Sequence, residues 1–312
     1  MVMGERVTTG DRNVDVSIIL PVFNEKGHLQ QELDRISAAM DSSEYSYELI
    51  VIDDGSTDGS SETLTAIDGI RLLRFPSNRG SGSSRRAGTR AAKGDVVVWT
   101  DVDMTYPNDE IPALVKEMEG FDQVVGARTS EQGTHKLFRV PAKWMIRRTA
   151  QYLAKHKIPD LNSGFRAFRR DVGLQFMHLL PPGFSCVTTI TMCFLANGYS
   201  VKYIPIEYKE RAGESKFHWW VDSKRYIQQV LRLIFTFNPM RVFGPIGSVL
   251  LGVGFGKLIY DVVTKPDFRI ATNTALLLFM GFQVLSIGLL ADLVSRLNGN
   301  RNAIETATVG GA

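Results

Sequence analysis

The first half of the chain alternates short apolar runs with longer segments in which apolar residues recur at helical spacing. Short apolar runs bounded by polar or turn residues are typical of buried strands, and the periodic segments are typical of amphipathic helices. The order strand, helix, strand, helix predicts an α/β fold, with a largely parallel sheet and helices on both faces. The predicted strands are 16–20, 48–52, 70–74 and 96–100, and the clearest helices are 26–40 and 83–93.

The final part of the chain is almost continuously apolar. The 22 residues from Ile270 to Ala291 include no charged residue, and a helix of that length can cross a hydrocarbon core of about 30 Å. Residues 242–256 are also uncharged, and the ammonium of Lys257 can reach the interface from near a helix end. We predict two transmembrane helices, 241–263 and 270–293. The alternative is a buried core hairpin.

Aromatic and basic residues precede the first predicted span. Phe217, Trp219 and Trp220 are followed by apolar residues at helical spacing over 226–235. This pattern is typical of a helix in the membrane interface, and an ordinary amphipathic core helix is the alternative. Inside the first span, small residues recur every fourth position and suit close packing, either of the two spans on each other or of subunits in a homo-oligomer. They are Gly244, Ser248, Gly252 and Gly256.

Composition and charge narrow the class of protein. Charged residues make up 22% and hydrophobic residues 44% of the chain, as in globular proteins. The net charge of +3 comes without a basic run, which argues against a nucleic-acid partner. The two cysteines, Cys186 and Cys193, match neither a metal-ligand pattern nor a disulfide framework, and this fits a reducing compartment.

The polar first 15 residues lack the apolar core of a signal peptide. Two spans would return the chain to the side on which it starts. Arg225, Arg232 and Arg241 before the first span agree with the positive-inside tendency, although Lys265 and Arg269 lie in the loop between the spans. We therefore expect a multi-pass protein of the cell membrane, with its catalytic domain and its tail in the cytoplasm.

Acidic residues follow three of the predicted strands. Ligands of open α/β sheets bind at the carboxyl ends of the strands. One such placement could arise by chance, but three at the same edge argue for a binding site. The residues are Glu25, then Asp53 and Asp54, and then Asp101 and Asp103.

Asp101 and Asp103 stand one residue apart after a buried strand. Because strand residues alternate between faces, the two carboxylates are expected to point the same way, and such charges repel unless a positive group lies between them. Carboxylate oxygens suit Mg²⁺ or Mn²⁺, which also bridge substrate phosphates. The alternative is a solvated surface pair, and the position in the fold favours the metal site.

The other two acidic segments have simpler alternatives. In PVFNE (21–25), Asn24 could cap the helix that follows. DDGSTDG (53–59) could be only a turn and a cap. The placement of Asp53 opposite Glu25 favours hydrogen bonds to the base or ribose of a nucleotide.

In their order and separation, PVFNE, VIDDGSTDGS and WTDVD resemble the motifs of family 2 glycosyltransferases, which have the GT-A nucleotide-diphospho-sugar transferase fold. GAR (126–128), LNSGFRAFRRDV (161–172) and KERAGESK (209–216) are similar to segments of the polyprenyl-phosphate glycosyltransferases, which include dolichyl-phosphate-mannose synthase and GtrB-like enzymes. The resemblance covers residues 15 to about 295. The expected organisation is a flexible N-terminus (1–14), a GT-A catalytic domain (15–216), an interfacial helix (217–240), two transmembrane helices (241–293) and a flexible cytoplasmic tail (294–312).

The resemblance implies an inverting transfer of a sugar from a UDP- or GDP-linked donor to the phosphate of a membrane polyprenol, with Mg²⁺ or Mn²⁺. Asp101 and Asp103 would hold the metal, with Thr105 as a candidate third ligand. An ionised lipid phosphate can attack without a general base, so positioning and charge stabilisation matter most.

The resemblance also assigns roles to single residues. Arg128 and Arg139 would bind the acceptor phosphate, and Arg211 with Ser215 and Lys216 would close over the donor diphosphate, since guanidinium groups suit phosphates. The alternative for an arginine such as Arg139 is a solvated surface side chain, and Arg166 could be structural. The catalytic candidates are Asp103, Arg128, Arg139 and Arg211. The other substrate-binding candidates are Pro21, Asn24, Glu25, Asp53, Asp54, Gly80, Gly82, Asp101, Ser163 and Arg166.

The chain departs from the family pattern at three places. A loop that often reads Gly-Lys-Gly is Gly80-Ser81-Gly82, so the lysine's contact is absent or passes to Arg85 or Arg86. Thr105 stands where many relatives have glutamine, and FSCVTT (184–189) carries hydroxyls where many have glutamates. These differences bear on the donor sugar and on the metal geometry.

Two other functions stay open at this point. One is a GT-A transferase that glycosylates a hydroxyl on a lipid or glycan, for which Asp160 is the nearby candidate base. The other is a non-catalytic nucleotide-binding membrane scaffold, against which the Asp101 and Asp103 pair and the phosphate-suited arginines argue.

Overall fold

A seven-stranded sheet organises the first part of the chain. The computed structural model describes residues 14–129, 158–209, 239–264 and 270–309, and it divides into two compact units, Met1–Tyr226 and Ile227–Ala312. The strand order is β3-β2-β1-β4-β6-β5-β7. The strands are β1 (Val16–Val22), β2 (Tyr47–Asp53), β3 (Ile70–Arg74), β4 (Val96–Trp99), β5 (Gln123–Arg128), β6 (Arg166–Arg169) and β7 (Val201–Ile206).

The sheet is largely parallel, as predicted. Strand β6 is the exception, because it runs antiparallel to both of its neighbours, β4 and β5. The described helices of this unit are α1 (Leu29–Asp41), α2 (Ser60–Ala66), α3 (Ser81–Ala91), α4 (Ile111–Lys116), α5 (Arg170–Phe176) and α6 (Cys186–Ala196).

The core lies on both faces of the central strands. Ile18, Ile19 and Leu20 of β1 are all fully buried, which explains why this strand reads as an unbroken apolar run. Helix α3 packs closely on the sheet at Gly88, where a Cβ would lie 2.5 Å from Ile19 Cγ2. This close packing determines which residues of α3 point into the domain.

The second unit contains two long apolar helices, α7 (Met240–Thr264) and α8 (Thr272–Val309). Helix α7 and the segment Thr272–Val294 are both long and apolar enough to cross a membrane. Only 11% and 17% of their most apolar windows are buried inside the structure. A core hairpin would be mostly buried, so the described residues disfavour that alternative.

Glycines bring α7 and α8 together, but they are not those of the predicted stripe. A Cβ at Gly254 would lie 2.8 Å from Leu278 Cδ2, and one at Gly247 would lie 2.5 Å from Leu285 Cγ. At Gly252 or Gly256, a Cβ would meet no described atom within 4 Å. Helix α7 therefore packs on α8 through the face of Gly247 and Gly254. The face of Gly252 and Gly256 points away from α8 and is available for contact outside the hairpin.

A polar cluster joins the two helices near their connection. Asp261 is buried on α7, and its carboxylate accepts hydrogen bonds from the Thr274 hydroxyl and from the Ala271 N–H at 3.2 Å. Lys257 Nζ lies 3.6 Å from the other carboxylate oxygen. Asp261 thus binds backbone and side-chain donors at the N-terminus of α8, a position that favours negative charge.

Candidate active site

The three acidic segments lie at one edge of the sheet. The parallel register pairs Val22 with Asp53 across β1 and β2, and Ile19 with Trp99 across β1 and β4. The carboxyl ends of these strands are therefore neighbours. Asn24 and Glu25 follow β1, Asp53 ends β2, and Asp101 follows β4, so the predicted residues share this edge.

Hydrogen bonds join the loop after β1 to the loop after β2. Asn24 adopts a left-handed backbone conformation with φ of 59°, and its side-chain oxygen accepts a hydrogen bond from Thr57 N–H at 2.8 Å. The N–H of Lys26 donates to Asp58 Oδ2 at 3.1 Å. Asn24 therefore fixes the neighbouring loop and does not cap α1, whose N-cap is His28. The predicted helix start at residue 26 was three residues early for this reason.

Asp53 and Asp54 also organise loops. Asp53 Oδ1 accepts the N–H of Ser56 at 2.9 Å. Asp54 is buried and accepts the N–H groups of Arg79 at 2.7 Å and of Gly80 at 2.8 Å. Burial raises the pKa of Asp54 above its ordinary value, although these two hydrogen bonds oppose the shift. The predicted ligand contacts of both residues stay predictions, and the structure adds a local role for each.

Gly80 and Gly82 allow the start of α3 to approach the loop at 181–183. Gly80 has φ of 87°, and a Cβ at Gly82 would lie 2.1 Å from Pro181 O. The N–H groups of Gly82 and Ser83 donate to Pro182 O at 2.7 Å and 3.1 Å. These two amides are therefore engaged by the protein, whereas the predicted contact of the glycines with substrate stays untested.

Asp101 is paired with a buried arginine. Strand β4 ends at Trp99, so the two carboxylates follow the strand, and alternation along it does not set their directions as predicted. Arg85 Nη2 donates to Asp101 Oδ1 at 2.6 Å, with the Arg85 side chain 1% and the Asp101 side chain 27% exposed. The positive charge expected beside the two carboxylates is thus supplied in part by Arg85, which is turned inward.

Asp103 is held by Thr105. The chain turns at Met104, which has φ of 62°. The Thr105 hydroxyl then donates to Asp103 Oδ1 at 2.6 Å, and its N–H lies 3.3 Å from the same oxygen. Thr105 is buried. The hydroxyl therefore orients Asp103, and its role as a third metal ligand stays a prediction.

A buried polar cluster holds the backbone of the turn that carries Asp101 and Asp103. Asn108 Nδ2 donates to the backbone oxygen of Asp101 at 2.9 Å and to Glu32 Oε1 at 2.6 Å. Glu32 is fully buried, and burial raises the pKa of its carboxyl. The Tyr106 hydroxyl accepts the N–H of Gly164 at 2.7 Å. Sequence reasoning did not identify these residues, because each resembles an ordinary polar position until the fold buries it.

The donor set fits a divalent cation that is shared with a ligand. Among the described residues, no group of three or more His, Cys, Asp or Glu side chains could hold a metal. Two carboxylates with water and substrate phosphate are the usual surroundings of Mg²⁺ in nucleotide-dependent enzymes. Asp101 and Asp103 match that arrangement and do not match an all-protein cage.

Arg128, at the end of β5, forms a two-point ion pair with Asp160. Its Nε lies 2.6 Å from Asp160 Oδ2 and its Nη2 lies 3.0 Å from Oδ1. The guanidinium also lies over the Tyr208 ring, 5.2 Å from the centroid. Burial alone would raise the pKa of Asp160, but hydrogen bonds and charge from Arg128 lower it below the ordinary 3.8. A carboxylate with a lowered pKa is a poor general base.

Arg166 and Ser163 were both predicted to bind substrate. Both are fully buried, and Arg166 Nη1 donates to Val187 O at 2.8 Å and to the Thr191 hydroxyl at 2.7 Å. Arg166 also donates to Ser163 O. Burial, followed by the charge of Arg85, lowers the pKa of Arg166 to about 10. These contacts do not suit the predicted substrate contact of Arg166, because they use its guanidinium to tie β6 to α6. The contacts of Arg166 agree better with the alternative, a structural role.

Four predicted site residues and the predicted interfacial helix fall in parts of the chain outside the described residues. The residues are Arg139, Arg211, Ser215 and Lys216. The predicted helix is 217–240, of which residues 217–238 lie outside the described residues. Their assignments stay predictions.

Comparison with known proteins places the chain in a family. The profile described as Glycosyl transferase family 2 matches residues 17–173, and the one described as GtrB C-terminal hairpin matches residues 238–297. Undecaprenyl-phosphate 4-deoxy-4-formamido-L-arabinose transferase of Aeromonas hydrophila is 32% identical over 306 residues, covering 90% of this chain and 89% of the relative. The protein of the same name from Proteus mirabilis is 29% identical over 312 residues, covering 93% of this chain and 91% of the relative.

Solved structures agree on the fold. Glucosyl-3-phosphoglycerate synthase from Mycobacterium tuberculosis, solved with Mn²⁺, UDP and phosphoglyceric acid, superposes with a TM-score of 0.58 at 22% identity. The match covers 70% of this chain and 78% of that one. At this identity the likeness shows the fold alone, which is the GT-A fold. By its sequence match, the chain belongs to glycosyl transferase family 2 and carries a GtrB C-terminal hairpin.

Proposed function

We propose that the protein transfers a sugar, with inversion, from a nucleotide-diphosphate sugar to the phosphate of a membrane polyprenol. The observation that carries the proposal is the acceptor shared by the relatives. The relatives from Aeromonas hydrophila and Proteus mirabilis, which cover 90% and 93% of the chain, both have undecaprenyl phosphate in their names. The family membership and the acidic edge of the sheet support the same reaction, and the product would be a polyprenyl-phosphate-linked monosaccharide.

In this proposal Asp101 and Asp103 hold a divalent cation, Mn²⁺ or Mg²⁺, at the donor site. When bound, the cation neutralises charge on the departing diphosphate. Arg85 and Thr105 orient the two carboxylates at distances of 2.6 Å each. Asp53 and Glu25 bind the nucleoside at the same edge, for UDP- or GDP-linked donors. Arg211, Ser215 and Lys216 close over the diphosphate.

The acceptor phosphate binds Arg128, together with Arg139. Arg128 is oriented by its two-point pair with Asp160, and a guanidinium that is already positioned loses little freedom when it binds a phosphate. The phosphate oxygen is ionised at neutral pH and attacks without help from a base. Asp160 therefore serves as a partner of Arg128, which disfavours the transfer to a hydroxyl that would need Asp160 as the base.

In this proposal the two apolar helices of the hairpin cross the membrane and keep the chain there. Helix α7 has 25 residues, or about 38 Å at about 1.5 Å per residue, which is enough to cross the hydrocarbon core. Both helices cross, so that the catalytic domain and the tail share the cytoplasmic side. The exposed stripe that includes Gly252 and Gly256 suits contact with another subunit.

The test uses the purified full chain in detergent with undecaprenyl phosphate, Mn²⁺ or Mg²⁺, and a panel of labelled UDP- and GDP-sugars. We expect one donor to give a charged lipid that carries a single sugar, with release of the nucleoside diphosphate. An Asp103→Ala variant should give no product. Failure of every donor with the wild type would overturn the proposed reaction and favour a scaffold. Full activity of the variant would overturn the proposed role of Asp103 at the metal site.

A further inference from the structure

Arg85 carries a buried charge on the inner face of α3. Its Nη2 donates to Asp101 at 2.6 Å, its Nη1 lies 3.8 Å from Cys186 Sγ, and its guanidinium lies 5.6 Å from the centroid of the Trp99 ring. Its Nε has no hydrogen-bond partner in the described structure. The described contacts of the buried guanidinium are therefore one carboxylate, one thiol and one aromatic ring.

The placement of Arg85 calls for a functional reason. Its neighbours on the buried face of α3 are small, namely Ser84, Gly88 and Thr89, whereas Arg90 on the same helix is exposed. A buried ion pair is a weak source of stability, because a well-packed apolar residue usually serves as well. The described carboxylate that pairs with Arg85 belongs to Asp101, one of the two proposed metal ligands.

We infer that Arg85 is a positioning residue for the transfer reaction, holding the Asp101 carboxylate in the orientation that receives the divalent cation. The inference rests on the proposed function. Arg85 holds Oδ1, and Oδ2 lies beside the Gly164 backbone, where a Cβ would come within 3.0 Å of it. The hydrogen bond from Arg85 therefore restrains Oδ1, and the lack of a side chain at Gly164 leaves room for Oδ2.

The charge of Arg85 also offsets the charge of the Asp101 carboxylate before a cation arrives. Its removal has two opposing effects on cation binding. An unpaired carboxylate attracts a cation more strongly, but it also turns away from the site or takes up a proton. Loss of a group that orients a metal ligand typically costs about 10- to 100-fold in metal affinity, so we expect the loss of orientation to dominate.

The test is a Mn²⁺ titration of the full chain in detergent, followed by electron paramagnetic resonance, with saturating UDP and separately with GDP. Arg85→Met should weaken Mn²⁺ binding about tenfold. Arg90→Met, on the same helix, should leave it unchanged. Arg85→Lys keeps the charge but not the planar fork, and it should weaken binding about threefold. If Arg85→Met does not fold, the Mn²⁺ affinity of Arg85→Lys tests the inference on its own. Wild-type or tighter affinity in either Arg85 variant would overturn the inference.

A double-mutant cycle tests whether Arg85 acts through Asp101. Adding Arg85→Met to Asp101→Asn should weaken Mn²⁺ binding by less than about twofold beyond Asp101→Asn alone. A further tenfold loss would show that Arg85 acts elsewhere. A wild type that binds no Mn²⁺ with either nucleotide would overturn this inference and the proposed metal site together. A wild type that binds Mn²⁺ but transfers no sugar would overturn the proposed function only, and the titrations would still decide the role of Arg85.

Discussion

The hydroxyl of Thr105 contacts Asp103 in a buried pocket, where a valine of nearly the same shape would fit. We expect Thr105→Val to fold normally but to weaken Mn²⁺ binding about tenfold, because Asp103 loses the donor that orients it. Thr105→Ser keeps the hydroxyl and should stay within about twofold of the wild type. Equal Mn²⁺ affinity in the valine variant would show that the hydroxyl neither orients Asp103 nor binds the metal.

Asp160 and Arg128 allow a similar distinction between positioning and proton transfer. Asp160→Asn removes the charge that orients Arg128, so KM for polyprenyl phosphate should rise about tenfold, equivalent to about 1.4 kcal/mol of binding. The donor KM should not change, and kcat should stay within about threefold. Loss of a general base would instead lower kcat by about 10²- to 10⁴-fold. Steady-state kinetics with each substrate varied in turn separates the two outcomes.

The same ion pair makes stability depend on pH in a defined direction. The pKa of Asp160 is lower in the folded state than its ordinary 3.8. Its contribution is therefore present above the unfolded pKa and is lost as pH falls through the folded value. The pKa values of Glu32 and Asp54 are raised by burial, so their contributions have the opposite sign. The wild type and the Asp160→Asn variant both contain Glu32 and Asp54, so the difference between their stabilities removes these two contributions.

We expect the difference in melting temperature between the wild type and Asp160→Asn to be constant from pH 7 to about pH 5 and to shrink below about pH 4. Thermal unfolding in detergent at a series of pH values measures this difference. A difference that grows on acidification would mean that Asp160 is not stabilised as the anion.

At the level of single residues, sequence predicted where charge would gather but not how it would be paired. Acidic residues after parallel strands must meet at one edge, so Asp53 and Asp101 could be placed from local pattern. Arg85 could not, because its burial depends on how α3 rotates against β1. Arg128 and Asp160 are separated by 32 positions in the chain, and no local pattern links them.

The secondary structure elements followed the apolar pattern closely. Strands β1 to β4 lie where the short apolar runs predicted them. The position of β6 between β4 and β5 was not predictable in the same way, because it depends on pairing between distant segments. The helix starts moved for local reasons, such as the turn at Asn24 that delays α1 until Leu29.

The hairpin helices offer a matched pair of glycine substitutions. Gly254→Leu places a side chain where even a Cβ would lie 2.8 Å from Leu278, whereas Gly252→Leu points into open space. Overpacking typically costs about 1 to 3 kcal/mol. We expect Gly254→Leu to lower the melting temperature and Gly252→Leu to leave it unchanged. Equal effects on the melting temperature would contradict the described packing of α7 on α8.

The mass of the protein in detergent gives a separate readout for the same pair. If the stripe that includes Gly252 joins subunits, Gly252→Leu should shift the protein towards monomer without destabilising the hairpin. Gly254→Leu should not produce that shift, since its face is covered by α8. Unchanged mass for Gly252→Leu would argue against subunit contact through the stripe.

At the scale of the whole molecule, the proposed reaction needs a nucleotide-sugar site and a membrane lipid acceptor to meet. The chain combines a family 2 transferase domain with a hairpin of two apolar helices, and in the proposed function the hairpin holds the chain at the membrane, where a polyprenyl phosphate resides. The acceptor is the decisive feature, because a lipid phosphate needs a positioned cation and no base, whereas a lipid hydroxyl needs a base. The ion pair that occupies Asp160 favours the phosphate.

The most direct measurement compares two acceptors under one set of conditions. The full chain in detergent is incubated with Mn²⁺, the labelled donor found in the panel, and either undecaprenyl phosphate or undecaprenol. We expect labelled lipid from undecaprenyl phosphate alone, and no labelled lipid from the Asp103→Ala variant. Equal or greater transfer to undecaprenol would contradict the proposed function, because it would require a base that the proposed mechanism does not use.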